Sequence, residues 1–442
     1  MNIMLIGNGF DIHYNLPTKY QNFLHVVDFL QNYYDDSMTT VGAVFNDARF
    51  HGRDKFIDGS YSSYKDIYDQ TPLPSDEITQ LIALAKTNLW YNYLLSTYNK
   101  DVGWIDFEKE ISTVCSYFEK LFESKTRRFS ADSKELSVFY DNSQESAAYR
   151  YIIFEKFDFF LHPNLYRRNE IVTNKVGQPI FSPEFSRKVI PDYYLNVPFG
   201  SDNLVLNTEK IVATLSAQLE SLSEMLIIYL RSFVENVCDK LVGSEIIRPL
   251  GLPVDNVITF NYTNTYEKLD ESANVIHIHG CLDDKIVLGI NPDCNDNLDT
   301  VDTTFIAFKK YFQRTISGTD LPYLDFIKTI RSPDSSIENE FVHLYVFGHS
   351  LDVTDSDIIK DLFASSDEIT ILCHSNTAVG SYIANLIKIF GKDSFDKFKL
   401  ENNLRFRVTG TELESVIEEE QQKRKKEMDR QKALADFNLV YS

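Results

Sequence analysis

The chain has no Cys-x-x-Cys pair. Its five cysteines, Cys115, Cys238, Cys281, Cys294 and Cys373, are odd in number and scattered, which excludes a disulfide framework and a paired-thiolate zinc module. Positive charge is also scarce: 44 Lys and Arg stand against 65 Asp and Glu, a formal net charge of −21. A general nucleic-acid or anionic-membrane binder needs a net basic surface, so the expectation is no membrane and no general nucleic-acid binding. The basic clusters at 125–128 and at Arg167-Arg168 read as solvated loop charge. No basic n-region or cleavage site precedes the first apolar run, so a cytoplasmic location is expected. The most apolar long stretch, Ala217 to Cys238, carries Glu220, Glu224, Arg231 and Glu235, which suits a soluble helix and not a membrane span. The complete Gly-x-Gly-x-x-Gly of standard dehydrogenases is missing as well.

What is present is enough to fold. Hydrophobic residues make up 43% and aromatics 13% of 442 residues, a length that implies two domains or one domain with large insertions. The first apolar run, Asn2 to Ile6, leads into Gly7-Asn8-Gly9, and Leu16-Pro17-Thr18 then opens an apolar-periodic helix from Tyr20 to Tyr34. Strand, glycine turn and helix in that order form the unit that cradles a phosphate in α/β nucleotide-binding proteins. Residues 36–75 turn polar and read as a long loop, helical periodicity returns over 76–123, and 124–147 and 160–206 read as loop-rich. A long amphipathic helix follows, with Ile211, Leu215, Leu219, Leu222, Leu226, Leu230 and Phe233 on one face. Beyond Val254 short apolar runs read as strands at Val257–Phe260, Val275–Ile278, Lys285–Ile290, Phe341–Phe347, Glu368–Cys373 and Arg405–Val408, with helical segments between several of them. That alternation predicts an α/β fold, a Rossmann-like and mostly parallel sheet. The simplest arrangement joins 1–35 with 250–410 in one domain and places a mostly helical insertion, 36–249, between its first two strands. Residues 411–442 read as a mixed-charge C-terminal helix, solvated in preference to an oligomerisation element.

Three constellations carry chemistry. Gly7-Asn8-Gly9-Phe10-Asp11 offers backbone N–H groups to an anion, or is a purely structural turn. Asn261, in Thr259-Phe260-Asn261-Tyr262-Thr263, stands where a strand ends and a helix begins, either facing a ligand at the carboxyl edge or capping the helix. His277 and His279, in Val275-Ile276-His277-Ile278-His279-Gly280, fall on one face by strand alternation; they read as half of a metal site, as structural histidines, or, for His279, as a group reaching a cleft. Asp352, Asp355 and Asp357 are the acidic set a nuclease reading would need, and equally suit a helix start. Trp104 and Phe107 share a helical face and should pack inward, leaving Asp106 and Glu108 to face the cleft if the insertion roofs it.

Taken in order, Gly7-Asn8-Gly9, Leu16-Pro17, Thr259 to Thr263 and His279-Gly280 resemble the sirtuin-like NAD-consuming superfamily, with Asp11 where that pattern has Ser and Thr263 where it has Asp. Tyr345 to Ser350 with Leu351 and Asp357 looks like the Gly-x-Ser-Leu … Asp segment of bacterial sirtuin-like effectors. The AbiH-type abortive infection family of phage defence is closer. Gly7 to Asp11, Leu16 to Tyr20, Trp104 to Glu108, Phe260 to Thr265, Ile278-His279-Gly280 and Gly348-His349-Ser350 all resemble it, from residue 2 to about 392.

The resemblance implies an effector that hydrolyses NAD to ADP-ribose and nicotinamide, or a sensor that only binds the nucleotide. It implies Asn261 and His279 as catalytic residues. NAD would be held by Gly7, Asn8, Gly9, Phe10, Asp11, Pro17, Thr263, Gly280, Gly348 and Ser350, the pyrophosphate on the N–H groups of 7–10. NAD enters as substrate, with no metal. A protein deacylase is disfavoured because sirtuin deacylases carry paired Cys-x-x-Cys ligands. An inhibited or incompletely assembled resting state is implied too, with a phage-derived trigger, a partner protein or a homo-oligomer as the release.

Overall fold

The computed structural model describes residues 1–98, 106–123, 129–130, 157, 159, 172–173, 179–180, 192–196, 203–290, 303–331 and 341–441. Its centre is a six-stranded sheet of β1 (Asn2–Ile6), β2 (Asn256–Thr259), β3 (Asn274–His277), β4 (His343–Phe347), β5 (Glu368–Cys373) and β6 (Arg405–Val408). The spatial order is β6-β5-β4-β1-β2-β3 and every neighbouring pair is parallel. This is the doubly wound order, in which the chain winds one way from β1 to β3 and the other way from β4 to β6. β1, β4 and β5 are buried along their whole lengths, because helices cover both faces, and this is why they appear in the sequence as mostly apolar runs.

The two faces bury alternate residues. Met4, Ile6, Tyr345, Phe347 and Leu372 join the core of the helices between β1 and β2. Ile3, Leu5, Ile258, Val346 and Ile371 pack instead on Ile359, Leu362 and Leu386, from the crossover helices Ser356–Ala364 and Asn376–Phe390. The chain between β1 and β2 is mainly helical where described, from Asn8–His13 and Tyr20–Tyr33 to Thr208–Leu230 and Asn236–Gly243. Short antiparallel pairings also occur, such as Val172–Thr173 with Pro179–Ile180.

Local reading of the sequence misses in three places. Residues 36–75 form the helices Val41–Phe45, Lys55–Ser63 and Lys65–Gln70; Thr40 and Asp54 cap the first two, and the buried residues Val44, Phe45, Phe50, Ile57 and Tyr68 fix them to the core. Lys285–Ile290 is no strand: Ile290 makes one bridge to Lys309, and the run returns the chain from the turn at Gly280. The tail helix Thr409–Tyr441 is not wholly solvated, since Val416 and Glu420 are buried. Glu420 accepts hydrogen bonds from Asn2 and Tyr345, each at 2.8 Å. Trp104, Cys294, 125–128 and 167–168 lie outside the described residues, as does most of 124–147 and 160–206.

The Thr208–Gly243 helical segment is long and apolar enough, by length and composition, to cross a membrane. In this fold its Ile211, Leu215, Leu222 and Phe233 are core residues, and Trp90 and Asn88 donate hydrogen bonds to the Leu215 and Gln218 carbonyls at 3.0 and 2.8 Å.

Candidate functional site

A cleft of about 480 Å³ opens at the carboxyl ends of β1, β2 and β4, where the winding reverses. In doubly wound folds the diverging connections part there and leave a crevice, and the volume suits a nucleotide-sized ligand. Nine residues named from the sequence line it: Gly7, Asn8, Gly9, Asp11, Asn261, Thr263, His279, Gly348 and Ser350. Three do not. Phe10 is buried against Tyr14, Tyr266 and Phe347. Pro17 is buried and its carbonyl accepts the Tyr229 hydroxyl at 2.6 Å. Gly280, at φ +73°, turns the chain where a Cβ would lie 2.0 Å from the Lys285 carbonyl oxygen.

The glycine turn is built differently from a simple phosphate cradle. The Gly7, Gly9 and Phe10 N–H groups already donate to the carbonyls of Phe347, Gly348 and Gly7, at 3.4, 2.8 and 2.8 Å. Of the four N–H groups expected to take a pyrophosphate, these three are therefore engaged within the protein. The glycines are required because two turns touch: a Cβ on Gly9 would sit 2.6 Å from the Gly348 Cα. Gly348 itself is at φ +69°, and its Cβ would meet the Phe10 nitrogen at 2.3 Å.

Asn261 is not a helix cap. The helix Thr265–Leu269 begins after Asn264, and the Asn261 Nδ2 is buried without a hydrogen-bond partner. The two strand histidines part company. His277 turns to the Glu267 carboxylate and the Asn261 carbonyl, while His279 stands in the cleft with Nε2 at 3.5 Å from Asp355 Oδ1. β3 ends at His277, so simple alternation no longer applies. Among the described residues no group of three or more His, Cys, Asp or Glu is arranged to hold a metal ion.

The sequence singled out neither His349 nor Lys310, yet both converge on Asp355. The His349 Nδ1 accepts the Leu351 N–H at 3.0 Å, which leaves the ring proton on Nε2, 3.5 Å from Asp355 Oδ2. Lys310 is 1% exposed and its Nζ lies 2.8 Å from both Asp355 and Glu108. Phe107 delivers Glu108 here by stacking on Tyr20, with ring centroids 4.1 Å apart, while Asp106 caps the same helix through the Lys109 N–H at 3.0 Å. Asp357 pairs with Arg314 and Asp352 caps its turn, so the three aspartates do not act as one acidic set.

These charges set one another. Burial alone would raise the Asp355 carboxyl, but Lys310 and the two histidines hold it well below the usual carboxylate range. Lys310 is raised by its two carboxylates despite burial. Burial, with Lys310 and Arg314, keeps His279 neutral, well below ~6.5. Burial pushes Glu108 up to about 7, with Lys310 opposing. Burial also lifts Asp11 to about 7, although the Thr263 hydroxyl donates to it at 2.7 Å.

Sheet order and cleft together define a Rossmann-like α/β protein with a large helical insertion and a crevice at the switch point. Residues 198–374 match the family model described as Bacteriophage abortive infection AbiH. The match supports the AbiH-type abortive infection family for this chain, and with it a role in phage abortive infection. The matched span includes Asn261, His279, Lys310, His349 and Asp355; the glycine turn and Glu108 lie before it. Neither a curated protein nor a solved structure matches the chain.

Proposed function

We propose that this protein is a cytoplasmic phage-defence effector that hydrolyses NAD at the nicotinamide–ribose bond, giving ADP-ribose and nicotinamide. The observation that carries the reading is the pair at the switch point: a buried amide, Asn261 Nδ2, with no protein partner, beside a His279 kept neutral next to a fixed carboxylate. In the reaction the C1′–N bond breaks and its electron pair leaves with the pyridine ring as neutral nicotinamide. A water oxygen bonds to C1′ and its proton passes to His279. Asn261 donates to the ribose or to that water. Asp355, with Lys310 holding it ionised, orients His279, and its charge favours the oxocarbenium-like state. Asn8, Thr18, Lys19 and Ser350 on the cleft rim hold the diphosphate, since the Gly7, Gly9 and Phe10 N–H groups are engaged.

The test is NAD consumption by the purified chain over a concentration series, with and without infected-cell extract, beside Asn261→Ala and His279→Ala. Turnover lost in both variants supports hydrolysis. Binding of NAD without turnover, with NAD levels steady in infected cells, replaces it with the nucleotide-sensor reading.

A further inference from the structure

Behind Asn261 lies a second, smaller arrangement that the proposed reaction does not use. The His277 Nδ1 is 3.0 Å from the Asn261 carbonyl oxygen and its Nε2 is 2.5 Å from Glu267 Oε1. A carbonyl oxygen only accepts, so Nδ1 must carry a proton. The other nitrogen faces a carboxylate, which also accepts. A neutral imidazole could satisfy both only with a protonated glutamate; with an ionised Glu267 the ring is an imidazolium. Glu267 sits on the short helix Thr265–Leu269, on the far side of the loop that carries Asn261.

We propose that His277 is a positioning residue: doubly protonated between Glu267 and the Asn261 carbonyl, it pins the backbone of Asn261 so that the buried amide holds its place in the cleft. The charges around it fit this role. Burial lowers the affinity of His277 for its second proton, but Glu267 and then Glu235 raise it above the ordinary value. Glu235 accepts the Asn264 N–H at 2.7 Å and pairs with Lys268, which also reaches Asp239. Asp11, joined to Thr263 in the same loop, and Cys238, beside Glu235, also face this group. Among the described residues no other charged side chain hydrogen-bonds or ion-pairs with the His277 ring. Since only the doubly protonated ring donates to both Glu267 and the Asn261 carbonyl, the bridge between them is complete below ~6.5 and is lost as pH rises through the raised value.

The inference rests on the NAD reading only for its consequence, so the test has one arm without ligand. In full-length protein labelled at histidine Cε1 and at the Asn261 carbonyl carbon, the His277 resonance should titrate above ~6.5, the usual value. The Asn261 carbonyl resonance should move with the same midpoint, and Glu267→Gln should shift both midpoints down. A His277 midpoint at or below ~6.5, or a carbonyl that does not follow, overturns the proposal whatever the ligand. In the second arm ADP-ribose binding is measured by calorimetry. His277→Phe should weaken it by about 10–100-fold, the scale of a displaced contact group, while His277→Gln, which keeps a donor, recovers most of the affinity. Thermal unfolding of both variants confirms that they fold. If ADP-ribose fails to bind the wild type, the NAD reading falls and the first arm still decides the relay. If it binds the wild type and His277→Phe equally, the relay falls alone.

Discussion

Replacing Lys310 by methionine leaves the shape of the cleft nearly intact and removes its central charge. The ammonium is 1% exposed and lies 2.8 Å from both Glu108 and Asp355. Without it the buried Asp355 and the half-buried Glu108 lose their shared ammonium partner. Removing one member of a buried ion pair costs about 3–5 kcal/mol. At about 2 cal/mol/K per residue over 442 residues, that is a fall in Tm of about 3–5 °C. The pH dependence identifies the cause. In the variant both carboxyls bind protons more tightly folded than unfolded, so the folded state is favoured at low pH and the penalty grows as pH rises through their raised values. Thermal melts of wild type and Lys310→Met should therefore lie close together near about pH 5 and separate by the full amount near about pH 8. Glu108→Gln in the Lys310→Met background should recover part of the loss, because one of the two uncompensated charges is then gone. A melting difference independent of pH, or one below about 1 °C at pH 8, would refute the electrostatic account and leave only lost packing.

Gly348→Ala should destabilise by at least about 1–3 kcal/mol in thermal melts, since its φ is +69° and the Cβ would strike the Phe10 nitrogen. Gly52→Ala, at φ +82° with open space around it, should cost only about 1 kcal/mol. His279→Ala should lower NAD turnover by about 10²–10⁴-fold. Because burial and the nearby cations hold His279 neutral, the acid limb of wild-type kcat/KM attributable to it should fall below ~6.5. Glu420 is pulled down to about 2, burial being outweighed by the His343 ring 3.7 Å away and by hydrogen bonds from Asn2 and Tyr345. Its contribution is therefore present above ~4.3, the unfolded value, and lost as pH falls towards about 2. Glu420→Gln should speed amide exchange in the first turns of the tail helix at neutral pH, read by mass spectrometry.

The sequence by itself determined the sheet. Five of the six later runs named from it became strands, because the central strands are buried on both faces and so are mostly apolar, a pattern visible locally. It also pointed to the turn at Gly7, to Asn261 and to His279, since each sits where an apolar run stops and the chain turns. The helices of 36–75 stayed hidden because their capping and apolar residues are diluted by polar ones, and contacts with the rest of the core stabilise them. Only the tertiary structure brought Glu108, Lys310, His349 and Asp355 within reach of one another, from three segments spread over some 250 residues. No spacing rule relates such residues. Their charge states exist only once burial has stripped the water away, and it is the fold that strips it. The same is true of the glycine turn: Gly7-Asn8-Gly9 is legible as a turn, but the Phe347 and Gly348 carbonyls that take the Gly7 and Gly9 N–H groups are brought there by the fold alone.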